Sequence, residues 1–249
     1  MNKEFFHVFY DGTFDGLLSS FFDICRLHLN VSSISIPETF TEDLFYKTIT
    51  FETSTEQANR IKRGIKLRAN NDILEILYKA FLSEEKNIEM EIFHYLKKLF
   101  YDDSFIGKNL VSKELAPLFK YSISVSREAH LHLGILRFHK TKEGLYIAKI
   151  LPKYDILSLI LKHFKLRLPS ESWLIYDDKR KYGAFYDKQK ILRISVPKFS
   201  LPEDLDSFKE KWQIFYNHVT IQERKNKKLM IQNLPVRYWD TLPEKRQLL

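Results

Sequence analysis

The stretch Ser126–Ile150, SREAHLHLGILRFHKTKEGLYIAKI, is where the chain changes its period. Upstream of it, Leu115, Leu118 and Phe119 keep helical spacing, which predicts a helix beginning near Ser112 and running on to Gly134. Such a helix places Arg127, His130 and Leu131 on one side, because residues three and four apart are neighbours. Downstream, ILRFHK and LYIAKI flank a turn containing Gly144 and read as a β-hairpin, which Pro152 ends.

The same reading extends in both directions. Phe5–Tyr10 is aromatic and β-prone, and Asp11-Gly12 closes it as a turn. Phe14, Leu17, Leu18, Phe21, Phe22 and Cys25 then make one apolar helical face. LFYKTITFET (44–53) reads as a second strand. Ser54 followed by Gln57 is a capping-box pattern that opens a helix with Ala58, Ile61, Ile65 and Ala69 inward. NDILEILYKAFLS (71–83) and EMEIFHYLKKLFYDD (89–103) add helices. Beyond the hairpin come a buried helix in DILSLILKHFKLRL (155–168), short strands in SWLIYD, GAFYD and ILRISV, and a last helix over 206–224. These elements predict an α+β fold with an antiparallel or mixed sheet, hairpins and a largely helical middle over about residues 53–133. No repeat or linker marks a boundary, so one domain over 1–249 is expected.

Composition narrows the function. The chain has 249 residues, 44% hydrophobic and 29% charged, which suits a packed core. Its single cysteine, Cys25, excludes an internal disulfide. The N-terminus lacks the order of a secretory signal and no apolar run approaches the roughly 20 residues that span a bilayer, so a cytoplasmic protein without a membrane partner is expected. With only 7 glycines and neither G-x-G-x-x-G nor a P-loop motif, no cofactor is indicated. A net charge of +8 attracts polyanions.

Four groups of residues carry candidate chemistry. In SREAHLHLGILRF, His130 suits proton transfer, Glu128 suits orienting it, and Arg127 and Arg137 suit forked bonds to phosphate. The same residues equally suit an ion-pair network bracing a helix end, with Gly134 as left-handed cap. His130 and His132 point about 200° apart on a helix, so no metal site is expected. The helix opened by Ser54 carries Arg60, Lys62, Arg63, Lys66 and Arg68 with no acid after Glu56, either a track for a phosphate backbone or an ordinary solvated face. In the stretch 163–187, His163, Arg167, Trp173, Tyr176 and Arg180 interleave cations with aromatics that either stack on bases or fill a core. Asp11 and Asp15 make a carboxylate pair or a turn and a helix start. Cys25 reads as core.

FYDGTFDGLLSSFFD, SREAHLHLGILRF, KHFKLRLPSESWLIYDDKR and FYNHVTIQERKNKKLMIQNLPVRYWDTLPE together resemble, in this order and over nearly the whole chain, a bacterial family of DNA metabolism or DNA repair proteins. The resemblance implies a standalone form of a domain also fused to uracil-DNA-glycosylase-type domains and encoded beside a radical-SAM protein. DNA and that radical-SAM protein are thus the implied partners. The family pattern falls on Tyr10, Asp11, Gly12, Glu128, His130, Gly134, Arg137, Phe138, His163, Phe164, Arg167, Trp173, Tyr176, Asp177, Arg180, Arg224, Pro235, Arg237, Tyr238 and Trp239. Leu131 departs from it, standing where a basic residue is expected. This chain has no CxxxCxxC and is not itself the radical-SAM component.

Two readings follow. One is a nucleic-acid-binding accessory to a radical-SAM repair or modification enzyme, with Arg60, Arg63, Lys66, Arg137, Arg167, Arg180, Trp173 and Arg237 on the nucleic acid. The alternative is an enzyme acting on nucleic acid or nucleotide, with His130 or His163 moving a proton and Asp11 or Glu128 as carboxylate. The Arg237-Tyr238-Trp239 tail also suits a protein-interaction module.

Overall fold

The computed structural model describes residues 4–37, 47–195, 231 and 234–242. The chain divides into two compact units, Met1–Ser126 and Arg127–Leu249. Six helices and two sheets are found among the described residues, an α+β fold with one mixed sheet.

In the first unit, β1 (Phe5–Phe9) lies between β2 (Asn30–Ser35) and β3 (Lys47–Thr50), and both neighbours run parallel to it. Val8 pairs with Ile34 on one side and Ile49 on the other. β1 leads through the Asp11-Gly12 turn into α1 (Phe14–Arg26). Gly12 has φ +76, a left-handed conformation that a Cβ disfavours. The Thr13 hydroxyl caps α1 by accepting from the Gly16 N–H at 2.9 Å. The parallel pairing of β1 and β2 follows from α1, which crosses over between them as the strand, turn and helix order of the sequence implies. The sequence reading passes over β2, since NVSSIS offers only Val31 and Ile34 as apolar residues.

Three further helices pack on this unit, α2 (Thr55–Arg68), α3 (Asn71–Phe81) and α4 (Ile88–Tyr101). Ser54 caps α2 as expected, accepting from the Gln57 N–H, but the Gln57 amide does not close the box and donates to Asp23 at 3.2 Å. Ala58, Ile61 and Ile65 face a core shared with Leu17, Leu18, Phe21, Ile92, Phe93 and Leu96. Burying each Leu or Phe contributes about 1.5–3 kcal/mol. α2 and α4 meet at Gly64, where a Cβ would lie 2.5 Å from the Phe100 ring.

Helix α5 (Leu115–Ile135) begins in the first unit and ends in the second. Leu115 and Leu118 are buried, as their spacing requires, and Phe119 is half-buried. The expected left-handed cap at Gly134 is corrected. Gly134 lies inside the helix without a positive φ, and the Arg137 guanidinium serves the end by donating to the Gly134 carbonyl at 2.9 Å.

The second unit is built on a five-stranded sheet, β4 (His139–Lys140), β5 (Tyr146–Ile150), β6 (Trp173–Asp177), β7 (Tyr182–Tyr186) and β8 (Ile191–Ser195), in that spatial order. β4 and β5 form the expected hairpin, shortened because Ile135 belongs to the helix. β5 and β6 are parallel, joined through α6 (Leu157–Arg167), and the rest are antiparallel. A 3-10 turn spans Val236–Thr241. The expected helix over 206–224, with Arg224, lies outside the described residues.

Candidate nucleic-acid interface

Amphipathicity decides what α2 shows to solvent. With Ala58, Ile61 and Ile65 turned inward, Arg60, Arg63, Lys66 and Leu67 come out on the opposite face and are all exposed. The five cations of this helix then separate into two kinds. Lys62 pairs with Asp15 at 2.6 Å, and Arg68 reaches Asp103 at 3.6 Å and the Leu99 carbonyl at 3.2 Å. Arg60, Arg63 and Lys66 have no carboxylate partner among the described residues. Arg60 lies over the Phe22 ring at 5.2 Å, and Arg63 donates to the Asn59 carbonyl of its own helix at 3.4 Å. Three cations on successive turns of a rigid helix make a linear positive track, the geometry that meets a phosphate backbone without reading bases.

In the second unit, Glu128 is the centre of a different structure. Its side chain is 4% exposed, yet its carboxylate is fully engaged. Oε1 accepts from the Lys153 N–H and Oε2 from the Tyr154 N–H, both at 2.8 Å, and the Tyr238 hydroxyl donates to Oε1. Arg237 stands 3.8 Å away and stacks on the Tyr238 ring. His132, buried one turn along α5, makes a hydrogen bond with the Glu128 carbonyl through Nδ1 at 2.9 Å and meets Tyr238 edge to face. Burial pushes the His132 pKa down, and the Tyr238 phenol is pushed up by burial and by Glu128. The buried carboxylate thus ties the 153–154 segment and the 3-10 turn to α5.

That segment is held from its other side as well. The Lys153 carbonyl accepts from the Arg180 guanidinium at 3.0 Å and from the Lys179 ammonium at 2.6 Å. Arg180 also bonds Asp177 at 2.8 Å, with the two side chains 10% and 0% exposed. Burial raises the Asp177 pKa against the pull of Arg180. Asp155, two residues on, accepts from the Tyr182 hydroxyl.

These arrangements sort the sequence-based candidates. Glu128 and His130 are two apart on α5 and do not meet; Glu128 is buried and His130 exposed. His163 makes no hydrogen bond through Nε2 and packs edge to face with Phe164 at 5.1 Å. Trp173 is 0% exposed, stacked among Tyr186, Phe138 and the core, so as a base platform it is corrected to a core side chain. Arg180 and Arg137 are committed to Asp177, to Lys153 and to the end of α5. Arg167 is exposed at the end of α6, and Arg237 is 51% exposed. Asp11 accepts from the Thr13 N–H at 2.9 Å and its hydroxyl at 2.7 Å. Burial alone would raise its pKa, and the hydrogen bonds from Thr13 and Thr53 outweigh that and lower it. Asp15 is paired with Lys62. Among the described residues no cluster of three metal-ligating side chains is found, and no helix is long and apolar enough to cross a membrane.

The backbone role of Lys153 and Tyr154 escapes a sequence reading, because main-chain donors leave no residue-type signature. The exposed face of α4 escapes it too, although the spacing of His94, Lys97, Lys98 and Tyr101 carries that signal.

No curated protein matches the chain. A solved structure described as a DHH domain from a member of a family of ribosomal proteins shares 11% identity, with 72% of this chain and 55% of that chain covered and a TM-score of 0.24. The chain thus spans about half the length of that structure, and the likeness carries no argument about fold or activity. Residues 86–244 match the model of DUF4130, a domain of unknown function, and the chain belongs to that family.

Proposed function

We propose that this protein binds nucleic acid, with DNA as its target, through sequence-independent contacts to the phosphate backbone. The observation that carries this reading is the exposed cationic row of α2, Arg60, Arg63 and Lys66, preceded on that helix by one acid, Glu56, on a chain of net charge +8. Phosphates condense counterions, and a linear row of cations gains free energy by releasing them. DNA as the target, and a role as accessory to a radical-SAM repair or modification enzyme, rest on the family resemblance carried by the sequence motifs.

The alternative of acid–base catalysis finds less support. Glu128 spends both oxygens on structural donors, and neither His130 nor His163 has a carboxylate partner among the described residues.

Fluorescence anisotropy with labelled duplex and single-stranded DNA tests the reading. Reversing the track with Arg60→Glu, Arg63→Glu and Lys66→Glu together is expected to weaken binding at least about tenfold for every sequence tried. Unchanged affinity in that variant, with an intact fold by circular dichroism, would sink it.

A further inference from the structure

A groove of about 560 Å³ runs along the outer face of α4, closed on its other side by the segment that leads into α5. We infer that this groove receives one unstacked nucleobase of a single strand whose backbone lies on the α2 track. The inference rests on the nucleic-acid reading above and adds the substrate form, a strand with unpaired bases.

Helical spacing builds the groove. Glu91, His94, Lys98 and Tyr101 recur at three and four residues and so share one face of α4, while Ile92, Phe93, Leu96 and Leu99 bury the other. Lys113 and Pro117 form the opposite wall. Its size falls within the range that binds small ligands, about 300–1,000 Å³.

The lining carries three lysines, Lys97, Lys98 and Lys113, and three carboxylates, of which Glu114 holds Lys98, Asp102 accepts from the Ser104 N–H and hydroxyl, and Glu91 stands beside His94. Lys98 is neutralised by Glu114 at 2.6 Å, whereas Lys97 and Lys113 have no ion-pair partner among the described residues. At the end of the groove the Tyr101 ring is 66% exposed. The Cys25 thiol beside its hydroxyl, with burial, raises its pKa. A ring this exposed is a ready stacking platform, and base–aromatic stacking is worth about 1–3 kcal/mol.

The groove also lies beside the track. α4 crosses α2 at Gly64 and Phe100, and Tyr101 follows Phe100 directly. The Arg68 guanidinium sits over the Phe100 ring at 5.8 Å and bonds the Leu99 carbonyl, so the C-terminal end of α2 abuts the end of α4 that bears Tyr101. On this proposal a strand leaving Lys66 continues past these neighbouring helix ends to Tyr101.

The test is binding of a single-stranded oligothymidylate carrying one 2-aminopurine, compared with a duplex of equal length, read by anisotropy and by 2-aminopurine emission. The wild-type protein is expected to bind the single strand more tightly than the duplex and to quench the 2-aminopurine. Tyr101→Ala should lose the quenching and weaken single-strand binding at least about fivefold, with duplex affinity kept. Tyr101→Phe keeps the ring and should keep both. If Tyr101→Ala binds and quenches as wild type does while reversal of Arg63 and Lys66 weakens both DNAs, the groove is not a base site and the phosphate track stands. If no DNA binds, track and groove both fall.

Discussion

Glu128 and Tyr238 stand 110 positions apart in sequence and share a buried hydrogen bond, the phenol donating to the carboxylate. With the Lys153 and Tyr154 N–H groups on the same carboxylate, three separate segments of the second unit depend on one side chain. Glu128→Ala leaves these donors without an acceptor, and each unsatisfied buried group costs about 1–3 kcal/mol. The variant is expected to lose about 3 kcal/mol or more, read as a lower urea midpoint. Tyr238→Phe removes one bond to a charged group and should cost about 1.5–3 kcal/mol. Were Glu128 instead a catalytic carboxylate without structural duty, its removal would leave stability near wild type.

Asp177 and Arg180 make a second buried dependency. Arg180→Ala leaves a carboxylate that is 0% exposed without its cation. Removing one partner of such a pair costs about 3–5 kcal/mol, toward the low end here because the Lys179 and Arg180 N–H groups still bond Asp177. Arg180→Lys should recover only part of the loss, since an ammonium does not reproduce the guanidinium contacts to Asp177 and to the Lys153 carbonyl together. Thermal unfolding of both variants checks the order wild type, Lys, Ala.

Acid sensitivity follows from His132. Its pKa in the folded protein lies below the ordinary value near 6.5, chiefly through burial, with Arg237 adding to the effect against the pull of Glu128. The unfolded chain therefore takes up a proton as pH falls through about 6.5 while the folded chain resists. The stability from a neutral His132 is complete above that pH and is lost progressively below it. His132→Gln should flatten the fall in Tm between about pH 7 and 5; an unchanged slope would show that other groups set it.

How far the sequence reaches differs between element types. Helices with a clean apolar stripe, such as the one bearing Ala58, Ile61 and Ile65, are legible down to the Ser54 cap, because burial of one face and capping are both local. β2 is not, since its serines suit a loop as well as a strand, and it is the parallel partner β1 that makes it a strand. Parallel pairing is a long-range property that no local period encodes. At Gly134 the sequence misleads about the helix end because a guanidinium from beyond the helix replaces the cap that glycine usually provides.

The site residues divide on the same principle. Arg60, Arg63 and Lys66 are readable as an exposed row because helical geometry alone sets their direction. Trp173 and Arg180 resemble a cation–aromatic surface by composition, yet the sheet turns Trp173 into the core and the β6–β7 turn folds Arg180 onto Asp177. Residue type names the chemistry there, and only the tertiary fold shows that the chemistry is already spent.

Phosphate contact by α2 is read from the salt dependence of DNA affinity, wild type against Arg60→Glu, Arg63→Glu and Lys66→Glu combined, from about 50 to 200 mM salt. In the wild type log affinity is expected to fall linearly with log salt. In the variant that slope should shrink by about 0.9 for each duplex phosphate contact removed, or about 0.7 for a single strand. Equal slopes and equal affinities in the two proteins, or no binding by the wild type at any salt, would contradict phosphate contact by α2.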